Sequence, residues 1–166
     1  MLITIIEKID RKFHFPIAKA HCDIPCGIYD PIIAQISALT IVRMVDLVNE
    51  NEAKNPGKDT IYHNNLIRYV NVKEEHAEKV KQEIRIIWGD FIKPQHLEGN
   101  PEIHLLVQKI MQLGSKCRQT TDKDSALQLV EALNQFAEIF WKIKGISTKK
   151  AKAPYAPNLE LVYPNL

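Results

Sequence analysis

Apolar side chains recur at helical spacing along most of this chain of 166 residues. Four stretches carry the pattern: from Asp30-Pro31 to about Glu50, from Asp59 to about Asp90, from Asn100-Pro101 to the polar residues after Cys117, and from Thr121-x-x-Asp124 to Gly145. Each opens on residues typical of a helix N-terminus, and Gly145 is typical of a helix end. The sequence therefore predicts an all-α fold, an antiparallel four-helix bundle.

Composition narrows the class of protein. The chain is 45% hydrophobic and 25% charged, with a net charge of +2, so nothing in it favours nucleic-acid binding. No uninterrupted apolar run approaches the roughly 18 residues of a membrane span, so no membrane partner is expected. Three cysteines are an odd number, which argues against a disulfide framework and favours a reducing, cytoplasmic location.

Three side chains have expected places within the bundle. Lys73 interrupts the apolar stripe of the second helix, and its ammonium is expected to extend to solvent. Trp88 is expected in the core. Cys117 is expected to be a buried small hydrophobic residue.

Two thiols stand close together just before the first predicted helix. Cys22 and Cys26 enclose three residues, and Pro25 and Gly27 favour a chain that folds back on itself. If the chain is cut before His21, its free amine, the Cys22 amide nitrogen and the two sulfurs form a planar N₂S₂ set. Such a set suits nickel(II) or copper(II) rather than zinc. The two cysteines alone are equally compatible with reduced thiols or half of a zinc site.

Residues 21–31 read His-Cys-Asp-Ile-Pro-Cys-Gly-Ile-Tyr-Asp-Pro. They resemble the metal-binding hook of the nickel superoxide dismutases, His-Cys-Asp-x-Pro-Cys-Gly-x-Tyr-Asp-Pro, at every fixed position. A second stretch, Trp88-Gly-Asp-Phe-Ile-Lys-Pro94 followed by His96 and Pro101-Glu-Ile-His104, is also similar to that family. The resemblance covers roughly residues 21–145.

The resemblance implies a nickel-dependent superoxide dismutase with one nickel per subunit. Superoxide would be converted to oxygen and hydrogen peroxide by cycling between nickel(III) and nickel(II). The implied ligands are the His21 amine and imidazole, the Cys22 amide nitrogen and sulfur, and the Cys26 sulfur. Two alternatives remain: a nickel or copper carrier without turnover, and a helical interaction protein with reduced cysteines and no metal.

Further roles follow from the same resemblance. Asp23 and Tyr29 would shape the substrate pocket, and Pro25 would fix the bend of the hook. Lys93 would attract the anionic substrate, although a solvated loop charge is the plain alternative.

The sequence departs from the family in the surroundings of the axial imidazole. Ser37 stands where many members have a glutamate, and His76 stands where they have the arginine that supports it. Ser37 and His76 are therefore predicted to orient the imidazole by hydrogen bonding. Phe91 stands where a second pocket tyrosine is common.

The chain divides into three segments. Residues 1–20 are predicted to be a leader that a protease removes by cutting between Ala20 and His21, the alternative being an N-terminal helix that stays attached. Residues 21–145 are the hook and bundle domain, which the family assembles as a homohexamer with the hooks pointing inward. Residues 146–166 carry several prolines and no helical period, which predicts an extended or disordered tail.

Overall fold

Helices dominate the fold. The computed structural model of this chain describes residues 27–166. Its elements are α1 (Ile32–Lys54), α2 (Thr60–Ile86), a π-helical turn (Ile87–Phe91), α3 (Pro94–Leu97), α4 (Ile103–Gln119), α5 (Lys123–Ile143), β1 (Thr148–Lys152) and β2 (Glu160–Pro164).

The four long helices form a closed bundle. α1 packs against α2 and α5, and α4 packs against the same two helices. Short loops make consecutive long helices antiparallel neighbours. The stripes that the sequence predicted meet in one apolar core, whose fully buried members include Ile41, Ile84, Ile110, Leu133 and Phe136. The predicted fold class is confirmed.

Helix caps explain most of the boundaries. Asp30 accepts a hydrogen bond from the Ile32 amide at 2.8 Å, although α1 begins one residue later than predicted. Asp59 caps α2 as predicted, by accepting from the Tyr62 amide at 2.8 Å. Gly145 lies just after the end of α5 and has a positive φ of 71°, which glycine adopts without strain.

Two predicted caps are corrected. Asn100 does not open α4, which begins at Ile103. Its buried side chain instead donates to the His96 carbonyl at 2.9 Å and accepts from Lys142 at 3.1 Å, linking α3 to α5. The cap of α5 is Asp122 rather than the box predicted from Thr121-x-x-Asp124: the Asp122 carboxylate accepts from the Asp124 amide at 3.2 Å.

The Asp122 cap predicts a specific pH dependence of stability. The Ser125 hydroxyl and the Lys116 ammonium hold the pKa of the Asp122 carboxyl at about 2, below its ordinary value of 3.8. The carboxylate therefore stabilises the fold above about pH 4, and that stabilisation is lost as the pH falls toward the folded-state pKa.

Asp122→Ala is expected to flatten the fall in melting temperature between about pH 4 and pH 2. Thermal unfolding across that range measures the effect, with Asp124→Ala as the exposed neighbouring control. Equal slopes for wild type and Asp122→Ala would contradict the assignment.

Lys73 is buried, not extended to solvent as predicted. Only 1% of the residue is exposed, and its ammonium donates to the carbonyl of Cys117 and, at 2.8 Å, to that of Arg118. These carbonyls lie in the last turn of α4, where a cation is favoured by the helix dipole. Burial lowers the pKa of Lys73, and the two carbonyls satisfy the charged group that burial would otherwise leave unpaired.

Trp88 also differs from its prediction. It is 37% exposed rather than in the core, and its indole nitrogen donates to Nδ1 of His104 at 2.9 Å. The π-helical turn that contains it inserts an extra residue into the end of α2 and rotates the following side chains relative to the helical stripe.

Residues 146–166 form a packed hairpin, not the predicted extended or disordered tail. β1 and β2 pair antiparallel, from Thr148 opposite Pro164 to Lys152 opposite Glu160. Leu161 and Val162 of β2 are buried and join the core cluster of the bundle. This apolar burial gives the segment a reason to fold that its proline content conceals.

Candidate metal centre

The predicted metal ligands precede the described part of the chain. Ala20, His21, Cys22, Asp23, Pro25 and Cys26 all lie outside residues 27–166. Within residues 27–166, no group of three or more histidine, cysteine, aspartate or glutamate side chains is placed to hold a metal ion. The described side chains therefore supply no such site, and the predicted donors lie before Gly27.

The chemistry of the remaining cysteine supports the same conclusion. Cys117 is buried in α4, and burial raises the pKa of its thiol to about 11. Metal ligation uses the thiolate, and burial of Cys117 in the bundle makes that charged form costly. Since the chain has three cysteines, only Cys22 and Cys26 remain as thiolate donors. Two thiolates with an adjacent amine and amide nitrogen fit nickel.

The base of the hook, residues 27–31, connects the hook to α1. Gly27 has a φ of +68°, a left-handed conformation that favours glycine and turns the chain toward α1. Two residues later the half-buried Tyr29 packs against the core of the bundle. Asp30 then caps α1, so the chain passes from the hook into the bundle within a few residues.

Tyr29 belongs to an aromatic cluster, which we define as Tyr29, Phe91, His96, Phe140 and Trp141. The Phe91 ring is central: its centroid lies 5.6 Å from that of Tyr29, 5.6 Å from that of His96 and 4.9 Å from that of Phe140. Phe140 in turn packs edge-on against Trp141 at 5.0 Å. Such ring pairs stabilise a defined geometry beyond simple area burial. The cluster ties the base of the hook to the end of α2, to α3 and to α5.

The π-helical turn places Phe91 in this cluster. The Ile92 amide bonds the Ile87 carbonyl at 3.2 Å, closing the wider turn. Lys93 follows, with an exposed side chain. Its backbone amide donates to Nδ1 of His96 at 3.1 Å, which holds the imidazole stacked on Phe91.

Lys144 is a component of this region that the sequence analysis missed. Its ammonium lies 5.5 Å from the centroid of Phe91 and 5.4 Å from that of Phe140, so it makes cation–π contacts with both rings. A lysine between a helix end and Gly145 carries no signal that would single it out in sequence. The structure therefore places the ammonium of Lys144 beside the aromatic cluster that Tyr29 joins.

Comparisons with known proteins place this chain among proteins of one enzyme family. Residues 16–144 match the family model described as nickel-containing superoxide dismutase. The chain is 35% identical over 126 residues to the nickel superoxide dismutase of Streptomyces seoulensis, covering 76% of this chain and 89% of that protein. It is 33% identical to the Streptomyces coelicolor enzyme over the same shares of both chains.

The chain belongs to the nickel-containing superoxide dismutase family. A crystal structure of nickel-containing superoxide dismutase with nickel ligation corresponding to the oxidised state is 34% identical, covers 75% of this chain and 99% of its own, and superposes with a TM-score of 0.64. A native structure is 32% identical over the same shares, also with a TM-score of 0.64. The predicted family, its metal and its reaction class are confirmed.

Ser37 and His76, which differ from the common pattern of nickel superoxide dismutases, each contact a backbone carbonyl of their own helix. The Ser37 hydroxyl donates to the Ile33 carbonyl at 2.7 Å, one turn earlier in α1. Nδ1 of His76 lies 2.8 Å from the Val72 carbonyl, one turn earlier in α2. A carbonyl only accepts, so Nδ1 carries the proton and Nε2 of a neutral ring is left as an acceptor. Their predicted task of orienting the axial imidazole stays a prediction.

Proposed function

We propose that this chain is a nickel-dependent superoxide dismutase that converts two superoxide ions and two protons into oxygen and hydrogen peroxide. The match over residues 16–144 carries the proposal, because it spans the hook, the aromatic cluster and all four long helices. Nickel bound by thiolate and amidate donors supplies the one-electron exchange with superoxide.

The residues that would hold one nickel per subunit are His21, Cys22 and Cys26. The His21 amine becomes a donor only when residues 1–20 are removed, so a leader-processing protease is part of the proposal. Asp23 would line the pocket and Pro25 would fix the bend. The proposed donors all fall within residues 21–26, which suits a short hook more than a site assembled across the bundle.

Tyr29 and the nearby cations would act on the substrate. Tyr29 places a phenolic hydroxyl, which carries a proton, at the base of the hook, and its ring is held against Phe91. Since Phe91 has no hydroxyl, Tyr29 supplies the phenol of this ring pair. The exposed Lys93 and the nearby Lys144 add positive charge that would raise the local concentration of an anion.

Subunit assembly is supported by the outer face of α1. The most apolar 18-residue window of this helix has a mean hydropathy of 1.5, enough to span a membrane by length and composition alone, yet 50% of that window is buried inside the chain, as in the core helix of a bundle. Ile33 and Ile36 remain exposed on it. We propose that a second copy covers this face in a homohexamer. The odd cysteine count supports a reducing, cytoplasmic location.

One experiment separates the three functions that the sequence allows. The chain is prepared with His21 as its first residue, loaded with nickel, and assayed for bound metal and for superoxide consumption. A superoxide dismutase binds about one nickel per subunit and consumes superoxide faster than free nickel does. Stoichiometric metal without consumption would indicate a carrier, and absence of bound metal would indicate an interaction protein.

A further inference from the structure

The C-terminal hairpin lies beyond the region shared with the family. The family model ends at residue 144, whereas β1 begins at Thr148. This chain nevertheless covers 99% of the length of the two crystal structures of nickel superoxide dismutase compared above. The hairpin is therefore an addition to a complete bundle, and its contacts are specific to this chain rather than required by the shared fold.

A buried asparagine joins the hairpin to the bundle. The Asn134 side chain on α5 accepts from the Val162 amide at 3.1 Å and donates to the Glu160 carbonyl at 2.9 Å. It thus pairs with the outer edge of β2 as a neighbouring strand would. Asn134 is only 3% exposed, so these bonds lie away from solvent.

A buried glutamine extends the same network to α1. Nε2 of Gln35 donates to Oδ1 of Asn134 at 3.0 Å and to the Val162 carbonyl at 3.2 Å. Gln35 is 1% exposed. We call the hydrogen bonds among Gln35, Asn134 and Val162 the amide clasp. It connects three segments that are far apart in the sequence.

The clasp holds the first turn of α1, which directly follows the base of the hook in the sequence. The backbone amide of Gln35 donates to the Pro31 carbonyl at 3.0 Å, and the Asp30 carboxylate accepts from the backbone amide of Ile32 in the same turn. A Gln35 side chain fixed by α5 and β2 therefore fixes the position of Pro31. Apolar side chains would fill this space without the cost of burying amides, whereas paired amides specify one relative position of the segments.

We propose that the C-terminal hairpin is a positioning element for the metal hook, and that it acts through the amide clasp on the first turn of α1. The expected effect on the metal site rests on the proposed nickel function. The hydrogen bonds of the clasp do not depend on that function. Gln35, Asn134 and Val162 are positioning residues: they hold the first turn of α1, which follows the proposed ligands His21, Cys22 and Cys26 in the sequence.

Gln35→Met tests the clasp with little change in side-chain volume. The variant loses both Nε2 bonds but keeps the Asn134 bonds to Val162 and Glu160, so the hairpin stays docked while α1 is released. Hydrogen exchange of the backbone amides of residues 32–38, the first turns of α1, is measured in the full metal-free chain. Loss of two hydrogen bonds is expected to accelerate this exchange about 3- to 10-fold.

Two control variants separate positioning from general destabilisation. Gln135→Met makes the same change at the exposed residue next to Asn134 on α5, where Gln135 donates to Glu131 at 3.4 Å. Asn51→Leu removes a buried amide near the other end of α1, where Asn51 donates to the Tyr62 carbonyl at 3.0 Å. Asn51→Leu should lower the melting temperature about as much as Gln35→Met while leaving exchange at residues 32–38 unchanged.

A second readout uses nickel-loaded protein that begins at His21. Gln35→Met is expected to broaden the nickel(III) electron paramagnetic resonance signal and to lose nickel to a chelator about 3- to 10-fold faster. The Gln135→Met and Asn51→Leu spectra should match wild type. If the wild-type chain takes up no nickel, the proposed function fails while the exchange measurement still decides the clasp.

The proposal is overturned if exchange at residues 32–38 in Gln35→Met equals that of wild type, or if Asn51→Leu accelerates it equally. Where Gln35→Met does not fold, Gln35→Asn is used instead. It keeps an amide that is one methylene too short to reach both partners, and the same outcomes apply.

Discussion

A chain that begins at Ala20 instead of His21 is expected to lose its superoxide dismutase activity, although it is longer by a single residue. In that chain the His21 nitrogen is part of a peptide bond, so its lone pair is delocalised and no longer a free amine donor. The five-membered chelate ring between this nitrogen and the Cys22 amide cannot form. Loss of groups that merely support a ligand costs about 10- to 100-fold, so loss of a ligand should cost more than about 100-fold.

The measurement compares nickel-loaded chains that begin at Ala20 and at His21 in one assay of superoxide consumption. Circular dichroism serves as the control, because the bundle starts at Ile32 and its helix content should be the same in both chains. Removal of Ala20 by an aminopeptidase should restore the activity. Comparable activity of the two nickel-loaded chains would show that the amine of His21 is not a ligand.

Cys26→Ser is expected to have an effect of similar size for a different reason. A serine hydroxyl at this position is not ionised near neutral pH and offers a harder donor than a thiolate. Nickel(II) without the second anionic sulfur is harder to oxidise. Nickel binding should weaken, and superoxide consumption should fall by more than about 100-fold.

Cys117→Ser is the matched control, since it makes the same chemical change at the remaining cysteine of the described helices. Cys117 is buried, with a pKa of about 11, and lies far along the sequence from the hook. The variant should keep wild-type nickel content and activity, at a cost of about 1 kcal/mol in the free energy of unfolding from the buried hydroxyl. Equal losses in Cys117→Ser and Cys26→Ser would contradict the assignment of thiolate ligands.

The bundle could be predicted from the sequence because its signals are local. The stripe that contains Ile84 repeats at helical spacing, and Asp59 stands immediately before its helix. Local patterns fail to predict a side chain's environment when its hydrogen-bond partner is distant in the sequence. The ammonium of Lys73 is satisfied by two carbonyls at the end of another helix, and the side chain of Asn100 is occupied by Lys142, so neither behaves as its neighbours in sequence suggest.

The hairpin was missed for the same reason. Its strands are short, and only Leu161 and Val162 supply buried apolar side chains in β2. Such a segment does not show a period that separates it from a loop. Its stability comes from packing on the bundle and from the amide clasp, whose members Gln35 and Asn134 read as ordinary polar residues of helices.

Some residues of the candidate site could be predicted from the sequence, and others could not. The predicted ligands of the hook all fall within residues 21–26, so their pattern indicated nickel or copper, and the family resemblance selected nickel. The aromatic cluster joins Tyr29, Phe91 and Phe140 from three separate elements, and Lys144 joins it only through space. No spacing in the sequence connects these residues, and only the folded bundle brings them together.

Electron paramagnetic resonance of the oxidised, nickel-loaded chain that begins at His21 tests the central claim most directly. The account predicts a rhombic nickel(III) signal split by one axial nitrogen, from the His21 imidazole. A correctly trimmed chain that binds zinc or no metal, or a nickel signal without nitrogen splitting, would contradict it.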